Sequence, residues 1–112
     1  MNSGGTLSVS DSYFLANYVN TSNDAYIRGG VFANVNGTLT IKNSVFSGNQ
    51  AYTSTSTANG GVIYNTTGGI LNIDNSVFYE NMARTTSSSN GTKAAGVIYI
   101  NDGQMQIGRA HV

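Results

Sequence analysis

Cysteine is absent from this chain. No disulfide framework and no thiolate metal site can therefore be built. The absence fits an exported bacterial or archaeal surface protein, and many cytosolic ones as well. Charge is also scarce: charged residues make up 9% of the sequence and the net charge is zero. No basic stripe is available to neutralise phosphates, which argues against nucleic acid as a partner. No stretch approaches the roughly 18 apolar residues of a membrane span. Residues 1–5 lack the basic and apolar segments of a signal peptide. Low charge with much Ser, Thr, Asn and Gly can mark disorder. Leu, Val, Ile, Phe and Tyr recur here at fixed places, however, as a core requires.

What the chain does contain is one phrase in three copies. Gly5-Thr6-Leu7-Ser8-Val9-Ser10-Asp11-Ser12-Tyr13-Phe14-Leu15-Ala16-Asn17 returns from Gly37 to Asn49, and again from Gly69 to Asn81. The spacing is 32 residues both times, and a fixed period in this range signals an array. A second motif accompanies it: Gly29-Gly30-Val31-Phe32, Gly60-Gly61-Val62-Ile63 and Ala95-Gly96-Val97-Ile98. Each period holds three short apolar segments. In the central copy they are 62–64, 71–73 and 77–78. None is long enough for a helix, and all favour strand. Gly or Asn marks the junctions, where turns need them.

Three strands per period with no helix between them predict a parallel coil, each turn climbing one strand spacing of roughly 4.8 Å. Like then stacks on like. Leu7, Leu39, Leu71 and Met105 form one expected inward column. Val9, Ile41 and Ile73 form a second, and Phe14, Phe46 and Phe78 a third. Asn17, Asn49 and Asn81 form an amide ladder at a turn, each bonding the next, as amides do in stacked parallel strands. Asp11, Asn43 and Asn75 make a similar row, with Ser12, Ser44 and Ser76 beside them. Which residue of the Gly-Gly-Val-Ile motif points inward is open, because the alternation admits either.

The segments 18–28, 50–59 and 82–94 differ in length between repeats, so they are expected to be loops along one edge. Tyr26 and Arg28 lie in the first, Tyr52 in the second, and Arg84 and Lys93 in the third. These five are the candidate contact residues for a ligand.

The alternation of Gly-Gly-apolar-Ile with Phe-x-x-Asn resembles the repeats of polymorphic outer-membrane proteins. The Phe-x-x-Asn element stands at Phe14–Asn17, Phe46–Asn49 and Phe78–Asn81. Those proteins are chlamydial-type autotransporter passengers, echoed in large adhesin-like proteins of other bacteria and archaea. Here Val replaces the usual small residue after the glycines, and the third copy has lost one Gly. The resemblance spans about residues 4–106. It implies an all-β, single-stranded right-handed parallel β-helix of the pectin-lyase-like type, about three coils of a longer solenoid. It also implies a cell-surface, outer-membrane or secreted location, and adhesion to a host-surface protein or glycan.

A single repeat unit is expected over 1–106, with coils near 5–36, 37–68 and 69–102 and a partial coil at 103–106. Further coils of the same parent are expected at both ends. Residues 107–112 break the pattern after one fitting position and read like a translated sequencing adapter. They are expected to be read-through rather than native protein, which discounts Arg109 and His111, the sole histidine. A His-based acid, base or metal site then has no candidate.

The carboxylates are Asp11, Asp24, Asp74, Glu80 and Asp102. Glycoside hydrolysis ordinarily needs two flanking one bond, and no such pair is visible. A Ca²⁺-dependent lyase would want several together. No enzyme active site and no cofactor are expected in this piece. The alternative is a fragment of a β-helix polysaccharide lyase or glycoside hydrolase whose catalytic coils lie elsewhere.

Overall fold

The computed structural model describes residues 1–22, 26–87, 94–108 and 110–111. Every regular element among them is a strand. The first repeat carries β1 (Asn2–Ser3), β2 (Thr6–Ser10), β3 (Tyr13–Leu15), β4 (Tyr18–Thr21) and β5 (Ile27–Arg28). The second carries β6 (Phe32–Val35), β7 (Thr38–Lys42), β8 (Val45–Ser47), β9 (Gln50–Thr53) and β10 (Ala58–Asn59). The third carries β11 (Ile63–Thr66), β12 (Ile70–Asp74), β13 (Ser76–Tyr79), β14 (Met82–Thr85) and β15 (Ala94–Ala95). A fourth opens with β16 (Ile98–Asn101), β17 (Gln104–Ile107) and β18 (Ala110–His111).

Each strand pairs with its counterpart one repeat away. The result is five sheets, ordered β1-β6-β11-β16, β17-β12-β7-β2, β18-β13-β8-β3, β14-β9-β4 and β15-β10-β5. All of these pairings are parallel. The protein is therefore all-β, with parallel strands in stacked sheets. The register follows from the period: shifting by one repeat sets Leu7 beside Leu39, Leu71 and Met105, and Val9 beside Ile41 and Ile73. Pairing continues past Gln106, with Ile107 opposite Ile73 and the backbone of Ala110–His111 beside Ser76–Val77.

Burial alternates along the central strands, as side chains on a pleat must. Leu39, Ile41, Leu71 and Ile73 are essentially inaccessible, while their polar neighbours face out. Leu7, Val9 and Phe14 are half-buried, since their repeat has a neighbour on one side only. Phe46 lies between Phe14 and Phe78 with near-parallel rings at 4.8 and 4.7 Å. Phe32 meets Phe14 edge-on at 5.2 Å, tying the first sheet to the third.

The Gly-Gly-Val-Ile motif buries both of its large residues. Val62 and Ile63 are fully enclosed. The Val97 carbonyl accepts both the Val62 and Ile63 N–H groups, at 2.9 and 3.2 Å, and the Val62 carbonyl accepts both Val31 and Phe32. Two successive donors on one acceptor break the alternation, so consecutive side chains turn inward. The glycine before them is required by close approach: a Cβ on Gly61 would sit 2.5 Å from the Met82 carbonyl carbon.

The segments 18–28, 50–59 and 82–94 are not plain loops, which corrects the expectation above. Each contributes two strands, so a repeat holds five strands rather than three. Tyr52 lies in β9, Arg28 in β5 and Arg84 in β14. Their inward residues are mostly alanine: Ala51 and Ala58 form a second core with Ile27, and Ala83 packs on it. Alanines bury little apolar area, so these strands carry almost none of the large-residue signal on which strand reading depends.

Corners recur as faithfully as strands. Positive φ angles fall at Asp11, Asn43 and Asn75, at Ala16, Gly48 and Glu80, and at Gly29, Gly60 and Gly96. The corner leading into the second sheet has Gly4, Asn36, Thr67 with Gly68, and Asp102. Thr67, at φ 54°, is a β-branched residue in the left-handed region, where Cβ meets the backbone and only Gly, Asn and Asp sit easily. Thr67→Asn is therefore expected to stabilise the protein by about 1 kcal/mol, read as a raised urea midpoint with an unchanged slope. A lowered midpoint would show that the Thr side chain does something else.

Candidate functional site

No buried side-chain donor or acceptor among the described residues lacks a partner. The polar interior is organised as ladders. Asn49 is fully buried. Its Oδ1 accepts the Asn17 backbone N–H at 3.0 Å and Asn17 Nδ2 at 2.9 Å. Its Nδ2 donates to the Phe14 carbonyl and to Asn81 Oδ1, both at 2.8 Å. Asn81 repeats the pattern, donating to the Phe46 carbonyl. At the preceding corner Asn75 Nδ2 donates to Asn43 Oδ1 at 2.8 Å. Beside it, Ser44 N–H donates to Ser76 Oγ, and Ser12 N–H to Ser44 Oγ.

A further ladder is not announced by the 32-residue phrase. Asn2 Nδ2 donates to Asn34 Oδ1 at 2.8 Å, and Asn34 Nδ2 to Asn65 Oδ1 at 2.7 Å. Asn34 also donates to the Gly37 carbonyl, and Asn65 to that of Gly69. Both amides are fully buried. Asn34 and Asn65 are 31 residues apart, one short of the period. The left-handed pair Thr67–Gly68, where the previous repeat has Asn36 alone, restores the phase before Gly69. A search at a constant spacing meets the Asn2–Asn34 rung, at 32 residues, and passes over the Asn34–Asn65 rung for that reason.

The outward faces carry the contact candidates. Tyr52 pairs across strands with Asn20 and Arg84. Arg84 Cζ lies over the Tyr52 ring at 5.9 Å, and Tyr18 stacks on the same ring at 6.4 Å. The Tyr52 hydroxyl is 3.2 Å from Thr86 Oγ1. A second column joins Arg28, Tyr64 and Tyr99. Arg28 Cζ is 5.7 Å from the Tyr64 centroid, and the two tyrosines stack at 5.4 Å. The register partner of Tyr64 in the second repeat is Ala33, whose small side chain leaves that ring free for Arg28. A cation–π contact is worth about 0.5–1 kcal/mol at an exposed site and more where desolvated; Tyr64 is buried, with 8% of its surface open. The two arginines are in separate sheets. Tyr26 is 63% exposed just before β5. Lys93 lies outside the described residues.

Stacking limits what these columns can do. Tyr18 and Arg84 flank the Tyr52 ring, so Tyr52 offers its edge and hydroxyl rather than an open π-face. The guanidiniums keep outward N–H groups, which suit oxygen acceptors. The described carboxylates are dispersed: Asp11, Glu80 and Asp102 occupy three different corners, and Asp74 faces Lys42 in register at a strand end. No group of three or more His, Cys, Asp or Glu among the described residues could hold a metal ion. No described helix is long and apolar enough to cross a membrane.

No protein-family model matches the chain, and neither a curated protein nor a solved structure matches it.

Proposed function

We propose that this chain is a section of a right-handed, single-stranded parallel β-helix of the pectin-lyase-like type, and that it serves as the rod of an exported, surface-displayed adhesin-like protein. The observation that carries the reading is the residue-for-residue register across repeats in all five sheets. A chain that spends its recurring positions on stacked Leu, Ile, Phe and Asn columns is built to be stiff. Such a body gives persistent length and varies at its outward surface. Further repeats of the parent stack on the strand edges at either end. Contact with a host-surface protein or glycan runs through the outward Arg28 and Arg84 with their tyrosines. Arginine N–H forks bind hydroxyl, carboxylate or sulfate oxygens.

The test is binding of the full 112-residue chain to immobilised host glycans and cell monolayers. Arg84→Ala and Arg28→Ala are each expected to lower bound signal by about tenfold, the loss of one charge-assisted contact of about 1.4 kcal/mol. Both variants should keep the wild-type circular dichroism. Binding that is absent for wild type, or as strong in both variants as in wild type, overturns the adhesive reading.

A further inference from the structure

The outward face of the third sheet is apolar. In β3, β8 and β13 the phenylalanines turn inward, so the alternate residues face out. Register aligns them into two columns, Tyr13–Val45–Val77 and Leu15–Ser47–Tyr79. Five of those six residues are apolar or aromatic, and none is charged. Tyr13 is 73% exposed, Tyr79 59%, Leu15 57% and Val77 39%. With about 150–250 Å² per aromatic side chain, these four leave on the order of 450 Å² of open surface. A contiguous patch of that size matches the largest on a typical monomer, and such patches are often functional. Beyond the corner at Asn17, Asn49 and Asn81, Tyr18 and Met82 are also open, at 55% and 44%.

We propose that this face is an interface between two copies of the chain, packed back to back about a local dyad. Three features select a second copy. The six described side chains of the face carry no charge, so a dyad brings no like charges together among them; the backbone of His111 continues the sheet beside Val77. Its columns repeat at the strand spacing, and a second copy presents ridges at the same pitch; two such faces pack about 10 Å apart. The area also suffices. Two faces bury about 900 Å² from the four residues alone, and Tyr18 and Met82 take the total past the roughly 1,200 Å² at which specific interfaces begin. Pairing of identical faces closes at two copies. In the assembly it would join rods side by side, leaving their lengths and the Arg28–Tyr64–Tyr99 column free.

The absence of native cysteine makes single-cysteine variants of the full chain clean reporters. Ser47→Cys places a thiol mid-face, where a dyad brings it to its own copy. Ser8→Cys places one on the outward face of β2, remote from the proposed contact. Under mild oxidation at micromolar concentration, Ser47→Cys should form a disulfide-linked dimer at least tenfold faster than Ser8→Cys. Adding Val77→Lys should cut that rate about tenfold, since the dyad then confronts two buried lysines. Should Val77→Lys fail to fold by circular dichroism, Tyr13→Lys carries the same charge into the face at a more exposed position. Open strand edges provide another route to association, but one indifferent to lysines on this face. Equal rates at Ser47 and Ser8, or a Ser47 rate that the lysine leaves unchanged, would overturn the proposal.

Discussion

Phe46→Ala is expected to cost about 5 kcal/mol of folding stability. Truncating a buried Phe costs about 3–5 kcal/mol through lost transfer energy and the cavity left behind. Phe46 is fully enclosed and stacked on both faces, by Phe14 and Phe78, with Phe32 edge-on at 6.2 Å. Each aromatic pair adds about 0.5–1.5 kcal/mol beyond area. The column cannot collapse into the void, because the strand spacing is held by backbone hydrogen bonds above and below. A domain of this size is stable by about 5–15 kcal/mol in total, so the variant should sit near its unfolding midpoint without denaturant. Phe14→Ala should cost about half as much, since Phe14 is half-buried and has a parallel stack on one side. Urea titrations followed by far-ultraviolet circular dichroism compare the two. A Phe46→Ala loss below that of Phe14→Ala would contradict the stacking account.

Asn49→Leu is expected to cost about 3–4 kcal/mol although it keeps the number of heavy atoms and raises hydrophobicity. The side-chain amide of Asn49 makes four hydrogen bonds, among them those to the Asn17 backbone N–H and the Phe14 carbonyl, while Asn81 Oδ1 keeps a second donor in the residue-49 backbone N–H. Leucine takes the amide away from the Asn17 N–H and the Phe14 carbonyl, and an orphaned buried polar group costs about 1–3 kcal/mol. Asn17→Leu should cost about 1 kcal/mol, because Asn17 is exposed and water replaces its bonds. Urea midpoints again report the magnitude. Amide hydrogen exchange reports its location, with protection lost first at Asn17 and Asn49, whose N–H groups the ladder holds. A neutral Asn49→Leu would mean that the ladder is ornamental and the apolar columns alone hold the repeats together.

These two residues also mark how far the sequence can be read. Phe46 and Asn49 both stand at positions that recur at 32 residues in three copies, and their partners were legible from the spacing alone. Parallel stacking makes that possible: a residue's nearest neighbour is its own counterpart one period away. Asn34 and Asn65 obey the same physics, but their interval is 31 residues. The slip is made good at the left-handed Thr67–Gly68 corner, which no residue pattern announces. Ala51, Ala58 and Ala83 failed to signal strands for another reason. Their contribution is close packing, not large apolar area. The contact candidates divide likewise. Arg84 and Tyr52 fall in different repeats, and their cation–π contact follows once the strands of 50–53 and 82–85 are in register. Tyr64 was visible inside its motif, but nothing in the order of residues places Arg28 over it.

By itself, then, the sequence determined the period, the all-β character and the Leu, Ile, Phe and Asn columns. It could do so because repetition turns a three-dimensional contact into a one-dimensional spacing. Only the tertiary structure decided that each repeat has five strands, that Val62 and Ile63 both turn inward, that a further ladder runs through Asn34, and that the outer face of the third sheet is largely apolar across β3, β8 and β13. Those features depend on corner geometry, shared carbonyls and the meeting of different segments, and such contacts leave no fixed interval along the chain.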